Sequence, residues 1–323
     1  MRIKLFLLIF ISILLKNVCW GYPWPISPFN TQHPITATLG EYRPPYGSLG
    51  KHFHWGVDIG ESAGTNVYPV VNGKITSMSS KNKEDGWIVV GNYRYAHINL
   101  VNTLMIGQQC TTGVTLLGKI GNINSPHLHF AEGMGGISNR VNPLRVGGLT
   151  PYADNAMPAV YGGNNYRFYR HGENNIITSP LYGKVDILTK AKDAQSSNGS
   201  NIVGVYRIGY QVNDKGGNTI LPYTENIKFD NVNGILDSIY SSESDISNYY
   251  YWVTNALSAN NCYRYWNTKL KSGQDWNGVD ADFNSDAKYP DGEYRVWVLA
   301  YDIKGNGGDT LNKHGAEYKD IIL

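Results

Sequence analysis

The sequence predicts an all-β protein made of antiparallel sheets in two successive domains. Glycine and tyrosine are abundant, with 36 and 24 residues, and both favour turns or strands over helices. No stretch shows the sustained 3.6-residue apolar period of a long amphipathic helix. Short apolar runs instead alternate with turn formers such as Asn72-Gly73 and Gly91-Asn92, a pattern typical of strands joined by tight turns.

The first element is a predicted secretory signal, residues 1–21. Two basic residues precede an apolar run of about eleven residues, 5–15, which is shorter than the ~20 residues that span a bilayer as a helix. We expect cleavage after Gly21. A lipid anchor on Cys19 is the alternative, but the polar residues 16–18 disfavour it. We therefore expect a protein that is secreted or held in the periplasm or cell envelope, with no transmembrane segment after processing.

Charge and cysteine content exclude few functions. The chain has 28 basic and 26 acidic residues, so nothing in its charge indicates a nucleic-acid or anionic-surface partner. Signal removal leaves Cys110 and Cys262, which lie in different predicted domains. A disulfide between them and two buried thiols both remain open. The sequence does not predict the oligomeric state.

The first domain is predicted to span residues 22–150. Strand-like runs occupy 66–71, 86–95, 116–120 and 128–131. Antiparallel strands direct every second side chain to the same face, so one face of such a sheet can carry a functional site.

Histidines and an aspartate recur at spacings that suit a metal. His127 and His129 are two apart and share a strand face, and His54 and Asp58, four apart, would also share one. If the two strands are neighbours, two imidazoles and a carboxylate converge, which is the usual ligand set of a catalytic zinc site. Zinc leaves a fourth position at which a water becomes nucleophilic. His97 is a fourth histidine that could join this site.

The three segments resemble, in order, the signature of the lysostaphin-type (LytM-like) zinc metallopeptidases. That signature is a His-x-Gly-x-Asp, a Tyr-x-His and a Pro-His-Leu-His-Phe, and the resemblance extends over roughly Thr36 to Leu144. It implies a central antiparallel sheet whose groove binds Zn²⁺. The implied roles are metal ligation by His54, Asp58 and His129, and catalysis by His97 and His127. Which of the last two is the base and which stabilises the oxyanion stays open.

The resemblance also implies the reaction, endopeptidase hydrolysis of peptides in bacterial cell-wall peptidoglycan. The bond could belong to a cross-bridge or a stem peptide, in the producer's own wall or a foreign one. One alternative is a non-catalytic regulator of wall hydrolases with the same fold. Another is a secreted peptidase that acts on glycine-rich proteins.

The other histidines and a nearby acid receive structural interpretations. His52 shares strand parity with His54, and we place it at the groove rim. Glu132 lies on the opposite strand parity to His129, so we exclude it as a general base. The remaining histidines are expected to be structural: His33, His171 and His314.

The second domain is predicted to span residues 155–323, after a Gly- and Pro-rich junction at 147–151. Residues 203–212 alternate, and a strand-like run at 291–302 is followed by a Gly-Asn turn. These features resemble the closing strands of bacterial immunoglobulin-like sandwiches. The many tyrosines could bind carbohydrate, but packing of a sandwich core explains most of them.

Overall fold

The computed structural model describes most of the predicted first domain and the sheets of the second. The described ranges are 21–43, 52–136, 139–170, 175–181, 185–195, 201–231, 249–253 and 292–322. Residues 1–20 of the predicted signal, Cys262 and His171 lie outside them. The described residues form β-strands and no α-helix, so the all-β prediction is confirmed. Nowhere in these ranges does an apolar helix reach the length that spans a membrane.

The first part of the chain contributes eleven strands. Nine of them form one antiparallel sheet, in which β1-β4-β11-β8-β7-β6-β9 are neighbours and β10 bridges β8 and β5, while β2 and β3 form a separate pair. The bounds are β1 Ile35–Ala37, β2 Tyr42–Arg43, β3 His52–Phe53, β4 Val57–Ile59, β5 Asn66–Val67, β6 Gly73–Met78, β7 Gly86–Val90, β8 Tyr93–Leu100, β9 Gln109–Cys110, β10 Gly118–Ile120 and β11 Leu128–Glu132.

Alternation along the central strands separates a core face from a groove face. Tyr95 of β8 and Leu128 and Phe130 of β11 are fully buried, and the Tyr95 hydroxyl accepts a 2.9 Å hydrogen bond from the Val70 amide. Their neighbours, such as His129, point to the other face and are only partly buried. The predicted run 86–95 is a hairpin that turns at Gly91-Asn92, and 66–71 is a strand only at 66–67.

The second part forms two antiparallel sheets around one apolar core. The alternating residues Ile208, Tyr210 and Val212 are buried in it. An immunoglobulin-like topology stays a prediction. The strands are β12 Ala159–Arg170, β13 Ile176–Ile177, β14 Val185–Ala194, β15 Ile202–Val203, β16 Arg207–Asp214, β17 Thr219–Lys228, β18 Tyr250–Trp252, β19 Glu293–Tyr301 and β20 Ala316–Ile322. One sheet has the order β13-β12-β14-β15, with β18 also on β14, and the other β17-β16-β19-β20.

The two parts make close apolar contact across the predicted boundary. Val203 of β15 is buried in the core of the first part, while Tyr42 and Phe53 of the first part pack against the core of the second. Phe229 lies against Gly40, where a Cβ would come within 2.0 Å of the phenylalanine ring. Gly40 has φ +88°, so both its conformation and its surroundings require glycine.

Three buried carboxylates meet where the junction approaches β14 and β19. Asp154, Asp193 and Asp302 have potential metal-donor atoms within 4.8 Å of one another. Asp302 accepts hydrogen bonds from the amides of Lys304 and Asn306. Burial, followed by the charge of Asp154, raises the pKa of Asp193 to about 8. Burial and the charge of Asp302 raise the pKa of Asp154 to about 6.

A pair of glycine variants measures the contact between the two parts. Gly40 and Gly64 have nearly equal φ, +88° and +87°, but Gly64 has no atom within 4 Å of a built Cβ. Gly64→Ala should therefore cost only the left-handed backbone penalty, about 1–2 kcal/mol. Gly40→Ala should cost a further ~1–3 kcal/mol, because it also displaces Phe229. Denaturant unfolding of both variants measures the difference. Equal destabilisation by the two variants would show that the Phe229 ring is not packed closely against Gly40.

The raised pKa of Asp193 predicts that the effect of Asp193→Asn on stability depends on pH. The pKa of Asp193 in the folded protein, about 8, lies above the ordinary ~3.9, so the folded chain binds this proton more tightly than the unfolded chain. The contribution of this proton to the free energy of unfolding is fully present below about pH 4 and is lost as the pH rises towards 8. Asp193→Asn should thus raise the free energy of unfolding at pH 8, on the order of a few kcal/mol, and much less near pH 5. An equal effect at both pH values would contradict this.

Candidate metal centre

The site is built on one cross-strand pair. Asp58 lies in the middle of β4, directly opposite His129 of β11. Opposed residues of antiparallel strands have Cβ atoms ~4.5–5.5 Å apart, and their side chains project to the same face. The register between β4 and β11 therefore places a carboxylate beside an imidazole on the groove face.

His54 reaches the same point by a different route from the one expected. It does not share a strand with Asp58, because β3 ends at Phe53 and β4 begins only at Val57. Its backbone is fixed from both sides, since its amide donates to Glu41 O at 2.7 Å and its carbonyl accepts from the Gly40 amide at 2.8 Å. The link between the strands, and not strand parity, turns the imidazole towards Asp58.

The potential donor atoms of the three side chains converge. His54 Nε2 lies 2.9 Å from Asp58 Oδ1 and 2.9 Å from His129 Nδ1, and His129 Nδ1 lies 3.0 Å from the same Asp58 oxygen. His54 Nδ1 is 2.9 Å from Thr38 O. Because a carbonyl can only accept, Nδ1 carries a hydrogen, and Nε2 is the nitrogen directed at the other two donor atoms, where it offers a lone pair to a metal once its own hydrogen is lost.

Their protonation states suit metal ligands. Burial raises the pKa of Asp58, but the charge of His54 and hydrogen bonds from His129 and His54 outweigh it and hold that pKa well below its usual value. Burial lowers the pKa of His129 to about 3. At neutral pH the trio therefore offers a carboxylate and a neutral imidazole, which metal binding requires.

The donor set fits zinc. Ligands at ~2.0–2.1 Å from a tetrahedral zinc are roughly 3.3–3.4 Å apart, so these donor atoms would need to separate by only a few tenths of an ångström. Two nitrogens and one carboxylate oxygen also match a three-ligand zinc site. One other group in the described ranges brings three possible ligand atoms within 4.8 Å of one another, the Asp154, Asp193 and Asp302 cluster.

Two residues not singled out as site residues by the sequence analysis fix the outer side of the carboxylate. Arg43 donates to Asp58 Oδ2 at 3.2 Å and to Glu41 Oε2 at 3.3 Å. The other Glu41 oxygen accepts from the amides of Thr38 at 2.7 Å and Gly204 at 2.9 Å. Oδ1 of Asp58 is thus left to face the imidazoles. The only indication of this role in the sequence is that Glu41 and Arg43 lie close to His54. No sequence pattern predicts which residues they contact.

His127 lies beside the trio, just before β11 begins. Its Nδ1 donates to Ser125 O at 2.7 Å, and its Nε2 lies 3.7 Å from Asp58 Oδ1. The free nitrogen of His127 therefore faces the donor atoms without belonging to their close cluster.

His97 completes the arrangement from β8. Its ring centroid is 4.7 Å from that of His127 and 5.9 Å from that of His129. Its Nδ1 lies 2.5 Å from Asp85 Oδ1, a partner that sequence reasoning missed because Asp85 belongs to a loop before β7. Burial lowers the pKa of His97, and Asp85 acts in the opposite direction.

A β-bulge turns His97 into the groove. Gly86 pairs with Ile98 and Trp87 with Ala96, so His97 is an extra residue in β8 opposite the Gly86–Trp87 step. Its φ is +63°, a conformation uncommon for residues other than glycine. Bulges frequently redirect a side chain beside an active site. Tyr95-Ala96-His97 thus contains two adjacent residues, Ala96 and His97, that line the groove.

All five predicted site residues line one groove of about 370 Å³. His52 also lines it, with its ring 5.4 Å from that of Trp55. Glu132 lies elsewhere, on the core side: it is buried, accepts from the Tyr22 hydroxyl at 2.7 Å and pairs with Arg145 at 2.6 and 2.7 Å. His33 is buried against Glu61 at 2.7 Å.

Comparison with known proteins gives structural similarity only. No family model and no curated protein matches the sequence. The catalytic domain of lysostaphin, an antimicrobial peptidase from Staphylococcus simulans, is 24% identical with a TM-score of 0.28, and the match covers 34% of this chain and 89% of that one. LytU is 24% identical (TM-score 0.27, 36% of this chain and 85% of that one). A zinc-containing peptidase from Vibrio cholerae is 18% identical (TM-score 0.24, 34% and 36%). At these TM-scores the similarity assigns no function to the chain.

Proposed function

We propose that the protein is an exported zinc metalloendopeptidase that hydrolyses peptide bonds of bacterial peptidoglycan. The observation that carries this proposal is the convergence of His54 Nε2, Asp58 Oδ1 and His129 Nδ1 within 3.0 Å of one another in a groove. Two further imidazoles, His97 and His127, line the same groove. An arrangement of this kind serves hydrolysis better than simple metal storage, because groups able to move a proton flank the ligands.

His54, Asp58 and His129 would hold the metal, and neighbouring residues keep these three side chains oriented. Thr38 O fixes the His54 tautomer, and Arg43 holds the outer oxygen of Asp58. Such contacts behind metal ligands preserve their geometry. A zinc ion bound there supplies Lewis-acid chemistry, polarising a peptide carbonyl and making a water molecule acidic enough to react near neutral pH.

His97 and His127 serve the proton transfers and the developing charge. His127 donates its Nδ1 hydrogen to Ser125 O, so Nε2 can accept a proton in the groove. Asp85, beside His97 Nδ1, orients that ring and stabilises its protonated form, which can donate to an oxyanion or a leaving amine. Either residue can be the base.

The proposed substrate rests on the motif resemblance together with the predicted export signal. Peptidoglycan lies outside the cytoplasmic membrane, where an exported enzyme meets it. A groove open along a sheet accepts an extended peptide, from a cross-bridge or a stem. The complete set of ligands and flanking histidines disfavours a non-catalytic regulator. Digestion of purified peptidoglycan beside a soluble glycine-rich protein separates a wall enzyme from a general peptidase.

Alanine variants of the five residues separate ligands from catalytic groups. His54→Ala, Asp58→Ala and His129→Ala each remove a donor atom, so zinc and activity should both be lost. His97→Ala and His127→Ala should retain zinc, because the three ligands remain, while the rate falls by ~10²–10⁴-fold. Metal analysis and the rate of peptide release from purified wall measure the two effects.

A specific result would contradict the role assigned to each residue. Loss of zinc in His127→Ala with retention in His129→Ala would exchange the roles of these two residues. Full activity in His97→Ala would make the bulge a structural feature only. Absence of zinc from the protein after reconstitution would overturn the enzyme proposal.

A further inference from the structure

One side of the groove carries an arginine, Arg94, that forms no ion pair with any residue the structure describes. Arg94 pairs with Ala131 of β11, and Ala96 pairs with His129, so alternation places Arg94 on the groove face, two residues from the metal ligands. That spacing corresponds to roughly 7 Å along the strand. Arg94 lines the groove together with the histidines. Its guanidinium carbon lies 4.5 Å from the Trp87 ring centroid.

The Trp87 contact orients Arg94 without using its hydrogen-bond donors. A guanidinium stacked on an aromatic face keeps its N–H groups free at the edge. In the described ranges the Arg94 side chain makes no hydrogen bond and no ion pair. Asp85 is near enough to raise the pKa of Arg94, but burial lowers it more, and Asp85 is already hydrogen-bonded to His97.

A second arginine, Arg140, lines the same groove and is more deeply buried. Only 7% of its surface is exposed. Its Nη1 donates to Gly133 O at 2.8 Å, which anchors the guanidinium at the end of β11. Its Nε is buried and has no hydrogen-bond partner among the described residues. Nε itself has almost no accessible surface, so a ligand in the groove would meet the charge of Arg140 rather than this atom.

The two guanidiniums act on each other. Burial, and after it the charge of Arg94, lowers the pKa of Arg140 to about 10. Two like charges beside a metal-binding groove, without a paired carboxylate in the described part of the chain, are electrostatically unfavourable until an anion arrives. Arg43, the third arginine of the groove, differs because Glu41 and Asp58 already neutralise it.

We propose that Arg94 and Arg140 form a carboxylate-binding subsite of the groove, and that the preferred substrate is a peptide with a free carboxylate close to the bond that is cleaved. This inference rests on the proposed peptidase function. The N–H groups of Arg94, which stay free beside Trp87, suit the planar, two-pronged acceptor geometry of a carboxylate, and the charge of the nearby Arg140 adds to the attraction. The ~7 Å offset of Arg94 from the ligand pair corresponds to about two residues of extended peptide.

Binding measurements on three synthetic peptides test the subsite. The peptides have equal length and differ in one group: one bears a side-chain carboxylate and an amidated C-terminus, one a free C-terminal carboxylate, and one neither. His127→Ala serves as the binding protein, because it should keep its metal and hydrolyse slowly. Calorimetry should show that one or both acidic peptides bind about 10- to 100-fold more tightly than the neutral one. The acidic peptide that binds more tightly identifies the carboxylate as side-chain or terminal.

Arginine variants assign the preference to the two residues. The preference should disappear when Arg94→Gln and Arg140→Gln are combined with His127→Ala. Because Arg140 also holds Gly133, Arg94→Gln alone is the second variant, and it should lose most of the preference with an unchanged melting temperature. Arg295→Gln is the matched control: it removes the same charge from an exposed pair with Asp320 in the last sheet, and the preference should remain.

Three outcomes overturn the subsite. Equal binding of the three peptides, or a preference that survives in Arg94→Gln/Arg140→Gln, contradicts it. Failure of the peptidase proposal is distinguishable, because the protein would then lack zinc and hydrolyse none of the peptides, while its binding preference would still report on the arginines. Equal kcat/KM of the wild-type enzyme for acidic and neutral peptides would contradict the subsite but not the peptidase proposal.

Discussion

The register between β4 and β11 is the constraint on which the groove depends. It sets Asp58 opposite His129, and β8, the next strand, places Ala96 opposite His129 on the other side. A shift of one residue would turn either donor into the core. The register is strongly specified because Val57, Ile59, Leu128 and Phe130, which alternate with the donors, are fully buried. Burial of the apolar side chains on the core face thus fixes the positions of the donor residues on the groove face.

The third donor depends on contacts that cross the predicted domain boundary. His54 is held by the backbone of Glu41 and Gly40, Glu41 accepts from the Gly204 amide, and Gly40 is packed against Phe229. The second part of the chain is therefore a support for the segment that carries His54. Gly204 and Phe229 come after residue 150, so the contacts that support His54 extend beyond the part of the chain that carries the donors.

Sequence reasoning could predict the strands and the donor trio because both depend on local patterns. Alternation and turn residues marked β7, β8 and β11. The spacings paired His54 with Asp58 and His127 with His129, and the motif resemblance implied that His129 is the ligand of the second pair. It could not predict the bulge at His97, whose left-handed backbone is imposed by pairing with β7, or the loop conformation of His54. Asp85, Arg43 and Arg140 carry no local pattern, since their roles depend on which segments meet in space.

The proposed chemistry depends on zinc binding by three particular atoms. Anomalous diffraction from crystals of the zinc-loaded protein, recorded on either side of the zinc absorption edge, tests it most directly. We expect one strong peak in the groove, bonded to His54 Nε2, Asp58 Oδ1 and His129 Nδ1, with His97 and His127 beside it and not coordinating. A peak bonded to His97 or His127 in place of one of the three, or no peak in the groove, would contradict it.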